Sequence, residues 1–144
     1  MRMDCVGEMA GVVRVRSALL DTLLAESRRE PQIECCGLLA GQDGVISVVL
    51  PARNALASAT AYEIEPAELF ALFRRMREER LEHLGIYHSH PQGDNAPSAR
   101  DLERAFYPDV AYFIISPRPD ALRPVRAFRI ANGRAAELVI ESVE

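Results

Sequence analysis

One stretch limits the fold of this chain more than any other: His88-Ser89-His90-Pro91-Gln92-Gly93-Asp94-Asn95-Ala96-Pro97-Ser98-Ala99-Arg100-Asp101. The apolar run before it, residues 84–88, reads as a strand. Residues two apart at a strand end face the same way, so His88 and His90 can turn both imidazoles to one point. Residues 89–97, with two prolines and a glycine, form a loop that reverses the chain. Ser98 then opens a helix ending near residue 106, and Asp101 in its first turn can return a carboxylate to the same point. The fold must therefore bring a strand end, a reversing loop and a helix N-terminus together. Two nitrogens and one oxygen leave the fourth tetrahedral position to water, the arrangement of a catalytic zinc site rather than a closed structural one. Water held in that way loses a proton near neutral pH and becomes a nucleophile.

The other segments suggest what surrounds this point. Residues 12–15 read as a short strand. Ser17 is placed to cap a helix reaching about residue 29, with Leu19, Leu20, Leu23 and Leu24 on one stripe and Pro31 after its end. Residues 36–40 and 45–50 are apolar runs separated by Gly41-Gln42-Asp43-Gly44, which reads as a hairpin. Residues 51–60 form a polar, alanine-rich loop, and residues 62–64 suggest a short edge strand. Pro66 suits the first turn of a helix running to about residue 81, whose expected buried stripe is Leu69, Phe70, Leu72, Phe73 and Met76. His83 is expected at the end of that helix, near solvent. Strands follow at 110–115, 125–130 and 135–140, the last two joined at Asn132-Gly133. The pattern is a sheet of mixed direction with two or three helices, α/β or α+β. At 144 residues the chain is read as one domain, 1–144, with a single core.

Composition narrows the function. The net charge of −4 offers no basic field for nucleic acid, and the arginines between Arg118 and Arg134 read as a solvated face. No stretch approaches a membrane span, and residues 1–11 lack an apolar signal core, so a cytoplasmic location is expected. The three cysteines, Cys5, Cys35 and Cys36, do not make a disulfide framework. Adjacent strand residues point to opposite faces, so Cys35 and Cys36 are expected as buried small residues that do not pair.

The spacing His-x-His, seven residues, then Ser-x-x-Asp resembles the signature of the JAMM, or MPN-plus, metalloproteases, matched by His88, His90, Ser98 and Asp101. Upstream, Glu34-Cys35-Cys36-Gly37-Leu38-Leu39-Ala40-Gly41 is similar to the family segment in which a glutamate precedes a Gly-Leu-Leu strand. Gly85-Ile86-Tyr87, residues 105–110 and Phe113-Ile114-Ile115-Ser116 extend the likeness over most of the chain. The resemblance implies a curved mixed β-sheet flanked by helices, related to cytidine deaminases. It implies one zinc per chain on His88, His90 and Asp101. Glu34 would pass a proton from water to the leaving amine, and Ser98 would help stabilise the oxyanion. The compact chain, without room for large inserts, is similar to bacterial members that act on small sulfur-carrier proteins of the ubiquitin fold. The implied activity is a peptidase or isopeptidase cutting at a C-terminal Gly-Gly tail, with the loop at 51–64 offering an edge to that tail.

Plainer readings stand beside these. Ser98 with Asp101 is also a helix-capping pattern. Glu34 read alone is an ordinary carboxylate beside a strand. Asp94 is a second loop carboxylate, a possible ligand or base, although loop aspartates mostly make turns. Neither His-Glu-x-x-His nor the His-x-Glu and Cys-x-x-Cys of deaminases occurs, which argues against zincin and deaminase chemistry. Two alternatives remain within the fold: a RadC-like protein, whose zinc loop is similar to His90-Pro91-Gln92-Gly93-Asp94, and a non-catalytic scaffold.

Overall fold

A computed structural model describes residues 11–144; Cys5 lies outside them. The elements run β1 (Val12–Arg16), α1 (Ser17–Arg29), β2 (Cys36–Gln42), β3 (Val45–Ala52), α2 (Pro66–Glu78), β4 (Glu82–Ser89), α3 (Ala99–Glu103), β5 (Ala111–Ile115), β6 (Val125–Ala131) and β7 (Arg134–Val143). The strands lie in the order β1-β3-β2-β4-β5-β6-β7 and close into a barrel. β1 runs parallel to both β3 and β7, and β4 parallel to β5, while the other neighbours are antiparallel. The sheet is mixed, as expected, and its curvature continues to closure.

Local chemistry explains the corners. Asp43-Gly44 and Asn132-Gly133 all take positive φ, the two-residue turn that matches strand twist in a hairpin. Register shifts around Ala40 and Gly41 mark a bulge in β2 against both its neighbours. A side chain at Gly41 would overlap the Val45 carbonyl, so the bulge requires glycine there. Such a bulge bends and twists the strand, which helps the sheet curve.

Alternation along the strands sorts the core into two clusters. All seven strands and α1 contribute to one, built on Leu19, Leu23, Leu39, Tyr87, Phe113 and Leu138. Leu38, Ile86, Ile114, Phe128 and Met76 build the other, with partly buried Leu69, Leu72, Phe73 and Leu102 of α2 and α3 packed on it. Tyr87 crosses over Gly37, where a Cβ would sit 2.6 Å from the ring, and its hydroxyl reaches both Glu26 oxygens at 2.8 Å. Cys35 packs toward the first cluster and Cys36 is fully buried, both as free thiols.

Several expectations need correction. Ser17 is the first residue of α1 rather than its cap, and Arg16 precedes it without a side-chain cap bond. Residues 62–64 belong to no strand; Glu63 bonds instead to Asn54 and Ala55. α2 stops at Glu78 because Arg80 turns left-handed, at φ 57, and the Leu81 N–H folds back to the Met76 carbonyl. Phe70 is 70% exposed, one position off the stripe that Leu69, Leu72, Phe73 and Met76 turn inward. His83 lies in β4, half-buried between Phe73 and Tyr107. α3 ends at Glu103, leaving Phe106 beyond it and exposed. Within the arginine-rich stretch, Arg126 is largely buried and Arg123 and Arg126 share Glu137, so that face is partly paired rather than simply solvated.

Candidate active site

β4 ends at Ser89, and the next residue keeps its strand-like hold: the His90 N–H donates to the Ile115 carbonyl at 2.8 Å. His88 pairs across to Ile114 on one side and Cys36 on the other. Both imidazoles therefore face the side of the sheet where α3 begins. Asp101 closes the group from the first turn of α3. Its carboxylate lies 3.2 Å from His88 Nε2 and 2.9 Å from His90 Nε2, and the two imidazole nitrogens are 3.2 Å apart. The three side chains offer one ligand atom each, all within 4.8 Å of one another.

The electrostatics suit a cation. His90 Nδ1 lies 2.8 Å from the Asp94 carbonyl, which can only accept, so Nδ1 carries the hydrogen. The Nε2 of the neutral ring is then a lone pair aimed at a carboxylate oxygen and at a second imidazole. Such a meeting of acceptors needs a shared proton or a metal ion between them. Burial alone would lower the His90 pKa, yet the Asp101 hydrogen bond, helped by the Asp94 carbonyl, outweighs it and raises the value. Complete burial lowers that of His88. Desolvation would raise the Asp101 carboxyl, but the hydrogen bonds from His88 and His90 prevail and hold it well below the usual carboxylate range. Two imidazoles and one carboxylate, with a backbone carbonyl orienting one ring from behind, are a donor set that fits zinc.

Glu34 stands just before β2, 4% exposed, and its Oε1 is buried without a hydrogen-bond partner among the described residues. Burial pushes its carboxyl up to about 8; the His90 charge lowers it, Asp101 raises it and Arg100 lowers it. A divalent cation among the three ligands would pull it down again. The loop after β3 holds the residue, since the Glu34 N–H donates to Ser58 O at 2.9 Å and the Asn54 amide donates to Glu34 O at 3.1 Å.

Ser98 is exposed and completes a capping box: its Oγ accepts from the Asp101 N–H at 3.1 Å, and its own N–H donates to Asp101 Oδ2 at 2.9 Å. The bond to Oγ leaves the hydroxyl hydrogen free. Asp94 does not bring its carboxylate to the group; that side chain is 79% exposed, 3.8 Å from Arg126. Its backbone carbonyl is the part that touches the site.

Three neighbours are not marked by the sequence as side chains of the site, although Tyr62 falls in the expected edge strand. Tyr62 stacks on His88 with ring centroids 4.7 Å apart. Buried Asn95 donates to the Ile114 and Arg123 carbonyls and pins the loop carrying Asp94. The Ser89 hydroxyl accepts from the Cys35 N–H at 2.9 Å, tying β4 to the residue after Glu34. A cavity of about 170 Å³ opens beside the group, sharing His88 and Asp101 with it and walled by Leu38, Tyr62, Ile64, Leu69, Ile86 and Tyr112.

Comparison with known proteins places this constellation. The family model for prokaryotic homologs of the JAB domain, Prok-JAB, matches residues 16–131. The chain belongs to the Prok-JAB family. Both residues 88–101 and Glu34 fall inside the matched region. Among similar proteins, the CysO-cysteine peptidase of Mycobacterium tuberculosis is 32% identical over 135 residues, 92% of each chain. The probable TtuB-protein conjugate cleaving protease of Thermus thermophilus is 36% identical over 141 residues, 96% of this chain and 90% of that one. The solution structure of protein DSY2949 from Desulfitobacterium hafniense superposes with a TM-score of 0.80 at 30% identity, covering 92% of this chain and 93% of that one. A structure described as JAMM, a metalloprotease-like zinc site in the proteasome and signalosome, shares the fold with a TM-score of 0.58 at 19% identity, covering 91% and 99%. This Prok-JAB chain is thus a compact prokaryotic member of the JAMM group, whose similar proteins are named as peptidases and proteases.

Proposed function

We propose that this protein is a zinc-dependent peptidase or isopeptidase that cuts at the C-terminal tail of a ubiquitin-like protein of the sulfur-carrier type. The observation that carries this reading is the convergence of His88, His90 and Asp101 near the buried Glu34, with His88 and Asp101 also lining a largely apolar cavity. Bound by those three residues, zinc supplies Lewis acidity, which makes water more acidic and polarises a carbonyl.

The chain's own residues do the rest. Asp94 holds the His90 ring in the tautomer whose Nε2 faces the ligands. Glu34 accepts the proton of the attacking water at its unpartnered oxygen and returns it to the nitrogen of the leaving amine. The free Ser98 hydroxyl hydrogen turns to the developing oxyanion. Tyr62 covers the His88 ring and shields it from solvent.

Segment 61–65, which lies in no helix or strand, suits a tail. The Glu63 N–H and carbonyl are taken by Asn54 and Ala55. The backbone groups of Tyr62 and Ile64, among the described residues, have no backbone partner. They offer an edge to which an incoming strand adds. Glycine at the end of such a tail lets its backbone approach the metal ligands closely. The names of the two relatives, a CysO-cysteine peptidase and a TtuB-protein conjugate protease, favour this substrate class over the RadC-like reading. The complete ligand set favours catalysis over the scaffold reading.

The test is mass spectrometry of Gly-Gly-ending carrier proteins bearing C-terminal extensions, before and after incubation, with metal analysis of the same sample. Cleavage after the second glycine that stops on chelation and returns with zinc is expected. A zinc-loaded protein that cuts none of a broad panel of ubiquitin-like fusions would remove the substrate class.

A further inference from the structure

Glu34 is not part of the sheet, and the loop that holds it is organised by one side chain. Asn54 is 8% exposed. Its Nδ2 donates to Glu34 O at 3.1 Å and to Ala61 O at 2.9 Å, with Ser58 O further off at 3.5 Å. Its Oδ1 accepts from the Leu56 N–H at 3.0 Å and the Glu63 N–H at 3.2 Å. The amide thus has the Glu34 backbone on one side and the two residues flanking Tyr62 on the other. Ser58, in the same loop, receives the Glu34 N–H. A primary amide meets this demand because it carries two donors and an acceptor on one short stem.

We infer that Asn54 is a positioning residue that couples the edge at residues 61–64 to the placement of the Glu34 carboxylate. The inference rests on the tail-cleaving function proposed above. A tail strand pairing with Tyr62 and Ile64 loads the backbone at Ala61 and Glu63, and both are bonded to the amide that holds Glu34 O. Tail binding thereby firms the position of the proton-transfer group, while His88, His90 and Asp101 make no hydrogen bond to Asn54 and meet this segment only through the Tyr62 ring stacked on His88.

Asn54→Asp keeps the acceptor for Leu56 and Glu63 and removes both donors, leaving buried carbonyls at Glu34 and Ala61 facing a carboxylate. The full-length protein is prepared as Asn54→Asp, Glu34→Gln and the double variant, with Asn54→Ser beside them in case the added charge unfolds the loop. Zinc content, kcat and KM on a tailed carrier, and amide hydrogen exchange at Glu34 and Glu63 are measured. Zinc content should hold. Turnover should fall about tenfold to hundredfold, the scale of one buried hydrogen bond left unmade. On the Glu34→Gln background the same change should alter the residual kcat by less than about twofold, because contributions made through one group do not add. Exchange at the Glu34 N–H should accelerate although Asn54 does not bond to it. An equal loss of kcat in both backgrounds, loss of zinc, or unchanged Glu34 exchange would each overturn the coupling. If wild-type protein with full zinc cleaves no carrier, the substrate reading fails by itself, and Glu34 exchange in the Asn54 variants still decides whether the link exists.

Discussion

His88, His90 and Asp101 are delivered by regular structure, whereas Glu34 is delivered by a loop. The first three hang from the end of a strand paired on both sides and from a capped helix turn, and their ligand atoms lie 2.9–3.2 Å apart. Among the described residues Glu34 has no hydrogen-bond partner at Oε1, and its backbone is fixed by Asn54 and Ser58 from a loop outside the sheet. The difference separates two tasks. A metal site needs fixed distances, which ladders and caps supply. In the proposed mechanism Glu34 has to meet two different atoms in turn, and among the described residues no hydrogen bond ties its Oε1 to a third.

The largest effect should come from breaking the ligand side. Replacing His88 and His90 together by Ala should take zinc from about one per chain to near none, with activity lost alongside. Metal analysis that found full occupancy in the double variant would end the contrast. Next comes the other side: Glu34→Gln should keep its zinc and lose about a hundredfold to ten-thousandfold in turnover. Wild-type rates would mean that the base lies elsewhere, and the exposed Asp94 carboxylate is turned away from that role.

Ser98 stands on both sides of the comparison. Ser98→Ala should lose on the order of a hundredfold in kcat if its hydroxyl meets the oxyanion. It should also cost about 1 kcal/mol as a lost cap. Unfolding curves and kinetics on one preparation divide the two roles, and a destabilised variant with normal kcat leaves only the cap.

The mildest effect compares the histidines of β4. His88 has a carboxylate beside it; His83, wedged between Phe73 and Tyr107, has none. Burial lowers the His83 pKa below 6.5, only partly offset by the Gly85 carbonyl. The unfolded chain therefore takes up this proton first as pH falls. The contribution of His83 to stability is complete above about 6.5 and is lost as pH drops toward the folded value. His83→Gln should make the acid limb of stability against pH shallower in metal-free protein, measured by denaturant midpoints. An unchanged limb would mean that His83 is not the residue being protonated there.

The convergence of His88, His90 and Asp101 was legible because it is local: a two-residue strand period and the first turn of a helix are enough to aim three side chains at one point. The turn at Asn132-Gly133 and the hairpin at Asp43-Gly44 were legible for the same reason, since positive φ at two successive residues leaves few choices. Phe70 and His83 were misplaced because apolar periodicity fixes a stripe only to within a residue, and α2 ended at a left-handed arginine that no breaker announced. The loop holding Asn54 and Tyr62 stands out in the sequence as an edge, but the contacts of Asn54 with Glu34, of Tyr62 with His88 and of Asn95 with Ile114 were invisible because each reaches a partner distant in sequence. Closure of the sheet was hidden too, since no local pattern records that β1 lies beside β7.

That last pairing has a consequence for how the protein is made. Val12 is matched with Val139, and Arg16 with Val143, so the first strand finds its long partner only about 127 positions later. Its other neighbour, β3, is held over two residue pairs. At a synthesis rate of roughly 5–20 residues per second, β1 spends several seconds with its longer edge unmatched. Through that interval it is an exposed strand edge of the kind that sticks to other chains, so the nascent protein is more vulnerable to self-association than the finished one.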